Sequence, residues 1–202
     1  MRPVDLSRLP PIYPQSAAFM ARTLQLDLSD TLTLRLDAPC NQNCVFCNVY
    51  TGPSVGLPFL KSGAVDFVLS TKMDRSKTLA IFTGGEPLLA KDLPKHIESA
   101  MKLGFAAASV QTNGVKLAEA GVAKRLVNLG VNNFFVSLHA HEPKLSQEIT
   151  KGSPGDFAAT ARGIHNAMEA GAQVEINCVL CAANADYADE IASYILREFP
   201  EL

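Results

Sequence analysis

The sequence predicts an α/β fold in which five βα units build one parallel sheet. Short apolar runs recur along the chain, and each is followed by an amphipathic helical pattern. A glycine directly follows three of these helical patterns, at Gly104, Gly130 and Gly171, where a helix end favours a left-handed residue. Strands that alternate with helices are typical of right-handed βαβ units and a parallel sheet covered by helices.

The predicted strands are apolar or alternating runs bounded by turn residues. They cover Leu32–Leu36, Thr78–Thr83, Ala107–Thr112, Phe134–Leu138 and Val174–Leu180. Before the first of them, Leu24, Leu26 and Leu28 alternate with polar residues, and Ser29-Asp30 interrupts the pattern. This alternation and the strand Leu32–Leu36 together predict a β-hairpin at the start of the fold.

The predicted helices are the amphipathic stretches between the strands. They cover Leu60–Lys72, Leu93–Leu103, Leu117–Leu129, Phe157–Ala170 and Tyr187–Phe199. Residues 141–155, with Lys144, Lys151 and a Gly-Ser-Pro-Gly stretch, are interpreted as a solvated connection on the rim that carries the chemistry. Residues 1–23 are expected to be an N-terminal extension, and residues 24–202 a single domain.

Composition and charge narrow the possible functions. Hydrophobic residues make up 48% of the chain, and a net charge of -2 with no basic stripe argues against nucleic-acid binding. No apolar run approaches a membrane span and no signal peptide is recognisable, so a cytoplasmic protein without a membrane partner is expected. Five cysteines, three of them within eight positions, indicate metal or redox chemistry in a reducing compartment.

Ligands of parallel α/β folds bind at the carboxyl ends of the strands. The first strand is followed there by Cys40, Cys44 and Cys47, spaced C-x3-C-x2-C. Three thiolates on one loop suit three irons of a cubane and leave the fourth iron without a protein ligand. The alternatives are a zinc site, which prefers four protein ligands when it is structural, and a chance cluster of buried thiols.

The next two strands end in polar, glycine-containing turns. Gly84-Gly85-Glu86-Pro87 follows the second strand, and Gln111-Thr112-Asn113-Gly114 lies at the end of the third. Glycine lets the backbone approach a ligand closely, and a carboxylate suits an ammonium group. Each motif alone is also compatible with an ordinary turn.

Together these motifs resemble those of the radical S-adenosylmethionine (SAM) superfamily, from about Thr31 onward. Cys40, Cys44, Phe46 and Cys47 match its C-x3-C-x-aromatic-C signature, and residues 84–87 match its Gly-Gly-Glu-Pro motif. The resemblance implies a partial (β/α) barrel of the radical SAM type, with a 4Fe-4S cluster on the three cysteines. It also implies that Phe46 lies beside the adenine of SAM and that Gly84, Gly85, Glu86 and Pro87 receive the methionine amino group.

The resemblance further implies the reaction. A reduced cluster cleaves SAM to methionine and a 5'-deoxyadenosyl radical, which abstracts hydrogen from an unidentified substrate. The electron would come from a donor such as flavodoxin or ferredoxin. Two alternatives are a non-catalytic Fe-S/SAM-binding or electron-transfer module and a zinc-stabilised α/β interaction domain.

Strand parity assigns further residues to the interior of the barrel. The remaining SAM contacts expected there, from parity and from the resemblance, are Thr112, Asn113, Ser137, Glu175 and Asn177. His139, two residues nearer the rim than Ser137, is a candidate substrate contact, with a structural histidine as the alternative.

The remaining cysteines and histidines carry weaker signals. Cys178 and Cys181 are three residues apart, which places the two thiols on opposite faces of an extended strand and argues against a second metal site. His96 and His165 fall on predicted helices, where a solvent-facing position is expected, and His141 has no spacing signal.

The strand–helix pattern ends after the fifth helix, whereas barrels of the family usually have six units. We therefore expect the sixth unit to be absent, which leaves an exposed parallel edge.

Overall fold

The computed structural model describes residues 24–47 and 60–202, which form one five-stranded parallel sheet covered by helices. The predicted N-terminal extension lies outside the described residues. The strands are β1 (Asp30–Leu36), β2 (Thr78–Gly84), β3 (Ala107–Thr112), β4 (Val131–Ser137) and β5 (Gln173–Asn177). They pair in the order β1-β2-β3-β4-β5, each parallel to its neighbour. The predicted parallel α/β architecture is confirmed.

Within the described residues, six helices connect or follow these strands. They are α1 (Ser62–Leu69), α2 (Leu93–Lys102), α3 (Val122–Asn128), α4 (Pro143–Thr150), α5 (Asp156–Glu169) and α6 (Ala188–Glu198). The third predicted helix begins later than expected, because residues 115–118 form a separate 3-10 turn. Gly121 then precedes α3 with a φ of 76°, a left-handed conformation that glycine adopts without strain.

The two faces of the sheet pack against different partners. Phe82, Val110 and Phe134 point toward the helices and belong to the main core. Leu79 and Ile81, one residue out of phase on β2, point to the opposite face and pack with Leu28 at its amino end. The interior of the partial barrel is therefore apolar at the amino end of the sheet, while the carboxyl end carries polar residues.

The first arm of the predicted hairpin is not a strand, whereas its second arm is present as β1. Gln25 has a positive φ of 54°, and the Leu28 N–H bonds locally to the Leu26 carbonyl at 3.1 Å. Leu24 and Leu26 pack with Leu28 against the interior face of β2. The alternating leucines thus cover the amino end of the interior instead of pairing with β1.

The stretch 141–155 is not the solvated connection that we expected, since it contains α4. Leu145 and Ile149, four residues apart, are buried on one side of this helix. Pro143 occupies its first turn, where the missing N–H costs nothing. The Gly-Ser-Pro-Gly stretch that follows the helix is typical of loops, which is why the sequence predicts a connection for the whole segment.

Two smaller expectations are also wrong. β5 ends at Asn177, so the predicted strand is too long, and Leu180, its predicted last residue, is 57% exposed. His96 is only 2% exposed, and its Nδ1 lies 3.5 Å from the Asp66 carboxylate, so this helical histidine does not face solvent.

None of the helices in the described ranges has the length and apolar character that crossing a bilayer requires.

Candidate active site

A cavity of about 300 Å³ opens at the carboxyl end of the sheet, and most of the predicted site residues line it. The side chains from the cysteine loop are Cys40, Gln42, Cys44, Phe46 and Cys47. The lining from the strand ends and the loops that follow them comprises Thr83, Gly84, Gly85, Glu86, Gln111, Thr112, Asn113, Ser137, His139, Asn177 and Val179. Motifs that are far apart in sequence therefore converge where the parallel fold predicts a ligand site.

The cysteine loop is held by hydrogen bonds to the end of α4. The backbone N–H of Asn43 donates to the Thr150 carbonyl at 2.8 Å, and that of Val45 donates to the Ile149 carbonyl at 2.9 Å. The last carbonyls of a helix lack partners within the helix, so the loop and α4 satisfy each other. Phe46 packs against the small cluster of apolar residues that contains Ile149.

Two further contacts fix the loop from other directions. Gln42 Nε2 donates to Asp156 Oδ2 at 3.2 Å at the start of α5, and the Glu86 N–H donates to the Pro39 carbonyl at 2.9 Å. The loop is thus tied to α4, α5 and the end of β2 before any ligand binds.

The three predicted cluster ligands have half-buried side chains on one wall of the cavity, and none forms a disulfide. Burial, with a smaller contribution from the neighbouring Cys40 and Cys47, raises the pKa of Cys44 to about 12. Burial also raises the pKa of Cys40. A bound cationic centre reverses this preference, because coordinated thiols are deprotonated.

Within residues 24–47 and 60–202, no three His, Cys, Asp or Glu side chains converge as ligands of a single metal ion. A cubane makes a different demand, because each thiolate binds a different iron. Three cysteines along one loop, facing one cavity beside an acidic motif, fit that demand.

Glu86 is almost completely buried, and its carboxylate has three internal donors. Oε1 accepts hydrogen bonds from the Leu88 N–H at 3.0 Å and from the Thr112 hydroxyl at 2.7 Å, while Oε2 accepts from the Asn113 N–H at 2.8 Å. Burial raises the pKa of Glu86, and these donors oppose that rise. A carboxylate has about four acceptor positions, so one position on Oε2 is left for a ligand.

Thr112 and Asn113, predicted as SAM contacts, line the cavity and also support Glu86. Asn113 Nδ2 donates to Asn41 Oδ1 at 2.8 Å, which links the end of β3 to the cysteine loop. The polar end of the third strand therefore connects two of the predicted motifs.

His139 follows β4 and lies next to Phe46 of the cysteine loop. The two rings meet edge to face, with 4.6 Å between centroids and 80° between planes. His139 Nδ1 accepts a hydrogen bond from the Val179 N–H at 3.0 Å, and burial lowers the pKa of His139 to about 4. The imidazole is therefore neutral at physiological pH.

Ser137 and Asn177 line the cavity, as strand parity predicts, whereas Glu175 and Pro87 are not among its lining residues. The Glu175 carboxylate accepts a hydrogen bond from Asn133 Nδ2 at 2.8 Å, and Asn133 Oδ1 accepts from the Ser109 hydroxyl at 2.7 Å. Glu175 thus belongs to a polar ladder across β3, β4 and β5, away from the cavity.

Pro87 begins the 3-10 turn Pro87–Leu89, which the Glu86 side chain caps. Gly84 is required sterically, because a Cβ atom there would lie 2.5 Å from the Leu36 carbonyl oxygen.

Cys178 and Cys181 lie beyond β5 and are close enough to interact electrostatically. Burial raises the pKa of Cys178, and the Cys181 thiol adds to the effect. Neither lines the cavity.

Sequence reasoning missed Asn184 and Asp156, which support the site. Asn184 is fully buried and bonds the backbone around His139, and Asp156 holds Gln42. A single polar residue in a loop has no periodic signal, so only the three-dimensional contacts identify either role.

Comparison with known proteins gives a family. A family model described as the radical SAM superfamily matches residues 39–195. A protein named probable GTP 3',8-cyclase from Sulfolobus acidocaldarius is 29% identical over 157 residues, which are 77% of this chain and 49% of that protein. A GTP 3',8-cyclase from Limosilactobacillus fermentum is 30% identical over 182 residues, covering 83% of this chain and 50% of that protein. The chain spans about half the length of these curated relatives.

Solved structures support the fold. The structure described as native anSMEcpe with bound AdoMet superposes with a TM-score of 0.64 at 22% identity, covering 84% of this chain and 48% of that one. The FeFe-hydrogenase maturase HydG from Carboxydothermus hydrogenoformans gives a TM-score of 0.59 at 17% identity, covering 91% of this chain and 46% of that one.

Proposed function

The chain belongs to the radical SAM superfamily, and on this basis we propose that it is a radical SAM enzyme that generates a 5'-deoxyadenosyl radical in the cavity described above. The observation that carries the proposal is the convergence of the three-cysteine loop and the Gly-Gly-Glu-Pro turn on one cavity. When bound, a reduced 4Fe-4S cluster and SAM supply the chemistry, namely reductive cleavage of SAM to methionine and a radical that abstracts hydrogen from a substrate. The remaining tasks belong to the protein.

The first task is to hold the cluster, which we assign to Cys40, Cys44 and Cys47. The loop that carries them is fixed by the backbone bonds to Thr150 and Ile149. A loop that is ordered before the metal arrives holds three thiolates on one wall and leaves the opposite side of the cavity open for SAM.

The second task is to bind the charged end of SAM, which we assign to Gly84, Gly85 and Glu86. The Glu86 carboxylate is oriented by Thr112, Asn113 and Leu88 and keeps one acceptor position on Oε2. An ammonium group placed there gains a charge-assisted hydrogen bond in a buried environment.

The third task is to bind the adenosyl part, which we assign to Phe46, Ser137 and Asn177. All three line the cavity, and they come from the cysteine loop, β4 and β5, whereas Glu86 follows β2. Phe46 offers an aromatic surface to a purine. Glu175 is left out of this proposed set because its carboxylate is bonded to Asn133.

The proposal does not specify the substrate, that is, the molecule from which the radical abstracts a hydrogen atom. The relatives are named for a reaction on GTP, but the chain spans about half of their length. No Lys or Arg is among the described residues that line the cavity. The described lining therefore supplies no positively charged side chain to a triphosphate. We propose that the function shared with these relatives is radical generation.

The experiment is anaerobic reconstitution with iron and sulfide, followed by dithionite reduction and a chromatographic assay for 5'-deoxyadenosine from added SAM. We expect 5'-deoxyadenosine from the wild type and none from Cys44→Ala, which should also lose the cluster absorbance. Cys178→Ala is the matched control, because it removes a half-buried cysteine that does not line the cavity.

A cluster that forms without any SAM cleavage would instead favour a non-catalytic Fe-S and SAM-binding or electron-transfer module. With dithionite replaced by reduced flavodoxin or ferredoxin, the same assay tests the expected electron donor.

A further inference from the structure

His139 is held in one tautomer at the end of β4. It is 5% exposed, and its Nδ1 accepts the Val179 N–H at 3.0 Å. A nitrogen that accepts a hydrogen bond from a backbone N–H carries no proton, so the proton of the neutral ring is on Nε2. His139 is therefore a hydrogen-bond donor through Nε2.

Asn184 fixes the orientation of this ring. Its Nδ2 donates to the backbone carbonyls of His139 at 2.8 Å and Val179 at 2.9 Å, and its Oδ1 accepts the Cys181 N–H at 2.7 Å. One fully buried side chain thus holds both the backbone of His139 and the residue that bonds its Nδ1.

The Nε2–H of His139 faces the cavity. No described residue accepts a hydrogen bond from this nitrogen. The nitrogen is also not completely sealed from solvent. Because the side chain is nine-tenths buried and lines the cavity, the surface left to Nε2 is cavity surface. A donor in this position gains a partner only when a ligand brings an acceptor.

The cavity lining also differs in chemistry from strand to strand. Glu86, which follows β2, supplies a buried carboxyl group, whereas His139, which follows β4 two strands away, has the ring of Phe46 beside it and the apolar Val179 in the same lining. SAM has the same asymmetry, because its methionine part carries the charged groups and its adenosyl part is a flat, neutral purine with ring-nitrogen and hydroxyl acceptors.

We propose that His139 recognises the adenosyl group of SAM as a fixed, neutral Nε2–H donor beside Phe46, and that Asn184 is its positioning residue. The proposal rests on the proposed function and replaces the expectation that His139 contacts the substrate. It also removes His139 as a proton shuttle, because Nδ1 is occupied by the Val179 N–H.

The test measures SAM binding by anaerobic equilibrium dialysis with the reconstituted protein. His139→Leu keeps an apolar side chain without a donor, and we expect SAM affinity to fall about tenfold, as for loss of one buried hydrogen bond. His139→Gln provides an amide donor at the same reach and should bind SAM within about threefold of the wild type. Cluster content per protein should be equal in all three.

Competition against SAM locates the contact. Adenosine should compete less well in His139→Leu by about the same factor, while competition by methionine stays unchanged. Glu86→Gln should show the opposite pattern. Asn184→Ala should weaken SAM binding in the wild-type background and have little further effect in His139→Leu, because it acts through the ring.

Wild-type affinity in His139→Leu, equal weakening in the Leu and Gln variants, or a change confined to methionine competition would each overturn the inference while leaving the proposed function intact. A wild-type protein that takes up the cluster but binds no SAM would overturn the proposed function and this inference together.

Discussion

At the residue scale, two polar side chains of the candidate site, Glu86 and His139, are bonded within the protein before any ligand arrives. Glu86 has three donors, and His139 has a bonded Nδ1 and a clamped backbone. Such preorganisation lowers the cost of ordering the site when a ligand binds. Each of these two side chains keeps one group open for a ligand, an acceptor position on Glu86 and the Nε2–H donor on His139.

The buried neutral state of His139 predicts a pH-dependent stability. Its pKa is lowered from 6.5 to about 4 in the folded protein, so the unfolded chain binds the proton more tightly. The titration of this residue therefore does not change the free energy of unfolding above pH 6.5. The free energy of unfolding decreases as the pH falls from 6.5 toward 4, by about 3 kcal/mol at most.

This prediction is checked by urea unfolding of the cluster-free protein at pH 7 and pH 4.5, compared with His139→Gln. The wild type should lose more unfolding free energy than the variant over this interval. Equal losses would show that His139 is not held neutral.

Gly84 predicts a sharp steric limit at the end of β2. The Cβ of Gly84→Ala would lie 2.5 Å from the Leu36 carbonyl oxygen, which is backbone and cannot move without disturbing the β1–β2 pairing. We expect the free energy of unfolding to fall by about 2 kcal/mol or more.

Gly63→Ala is the matched control, because Gly63 is exposed in α1 and nothing lies within 4 Å of its added Cβ. That change should raise the unfolding free energy by about 0.5–1 kcal/mol through helix propensity. A similar response of the two variants in urea unfolding would contradict the steric argument.

Several residue positions follow from the sequence because strand parity is local. The alternation along β4 and β5 is sufficient to place Ser137, His139 and Asn177 on the cavity side. Parity does not determine how high a residue lies in the barrel, which depends on cross-strand contacts. The bond from Asn133 to Glu175 is such a contact and could not be predicted.

At the scale of elements, α4 has an unexpected role as the support of the cysteine loop. Its last carbonyls accept the N–H groups of Asn43 and Val45, and Ile149 is fully buried beside Phe46. The apolar spacing of Leu145 and Ile149 was a usable helix signal, but its link to the cysteine loop has no sequence counterpart.

Ile149→Ala should therefore affect both stability and cluster binding. Removal of a fully buried side chain should lower the free energy of unfolding by about 2–4 kcal/mol. The loosened loop should also retain less iron after desalting, which iron and absorbance assays measure. Glu148→Ala, at an exposed position of the same helix, should leave both quantities near wild type.

The elements that the sequence predicted well are those with strong periodicity and long-range consistency. β3 has the bounds that its apolar run predicts; α2 ends one residue earlier than predicted, and α5 begins and ends one residue earlier. The failed hairpin shows the limit, because Leu24, Leu26 and Leu28 satisfy a strand pattern but are buried by packing under β2. Alternation alone does not separate these outcomes.

At the scale of the whole molecule, the parallel sheet explains why motifs separated by many residues form one site. All five strands end at the same edge, so the loops after β1, β2, β3, β4 and β5 contribute to one cavity. The fold class and the cysteine and Gly-Gly-Glu-Pro motifs could be read from sequence because each has a repeating or fixed spacing. The substrate has no such spacing, so it could not be predicted from the sequence.

The most direct test of the central claim, that cluster and SAM share this cavity, is electron paramagnetic resonance of the dithionite-reduced, reconstituted protein with and without SAM. We predict a 4Fe-4S signal that changes when SAM is added to the wild type. In Glu86→Gln, the same cluster signal should require at least about tenfold more SAM for the change, as for loss of a charge-assisted hydrogen bond. A wild-type cluster signal that stays unchanged at saturating SAM would contradict the account.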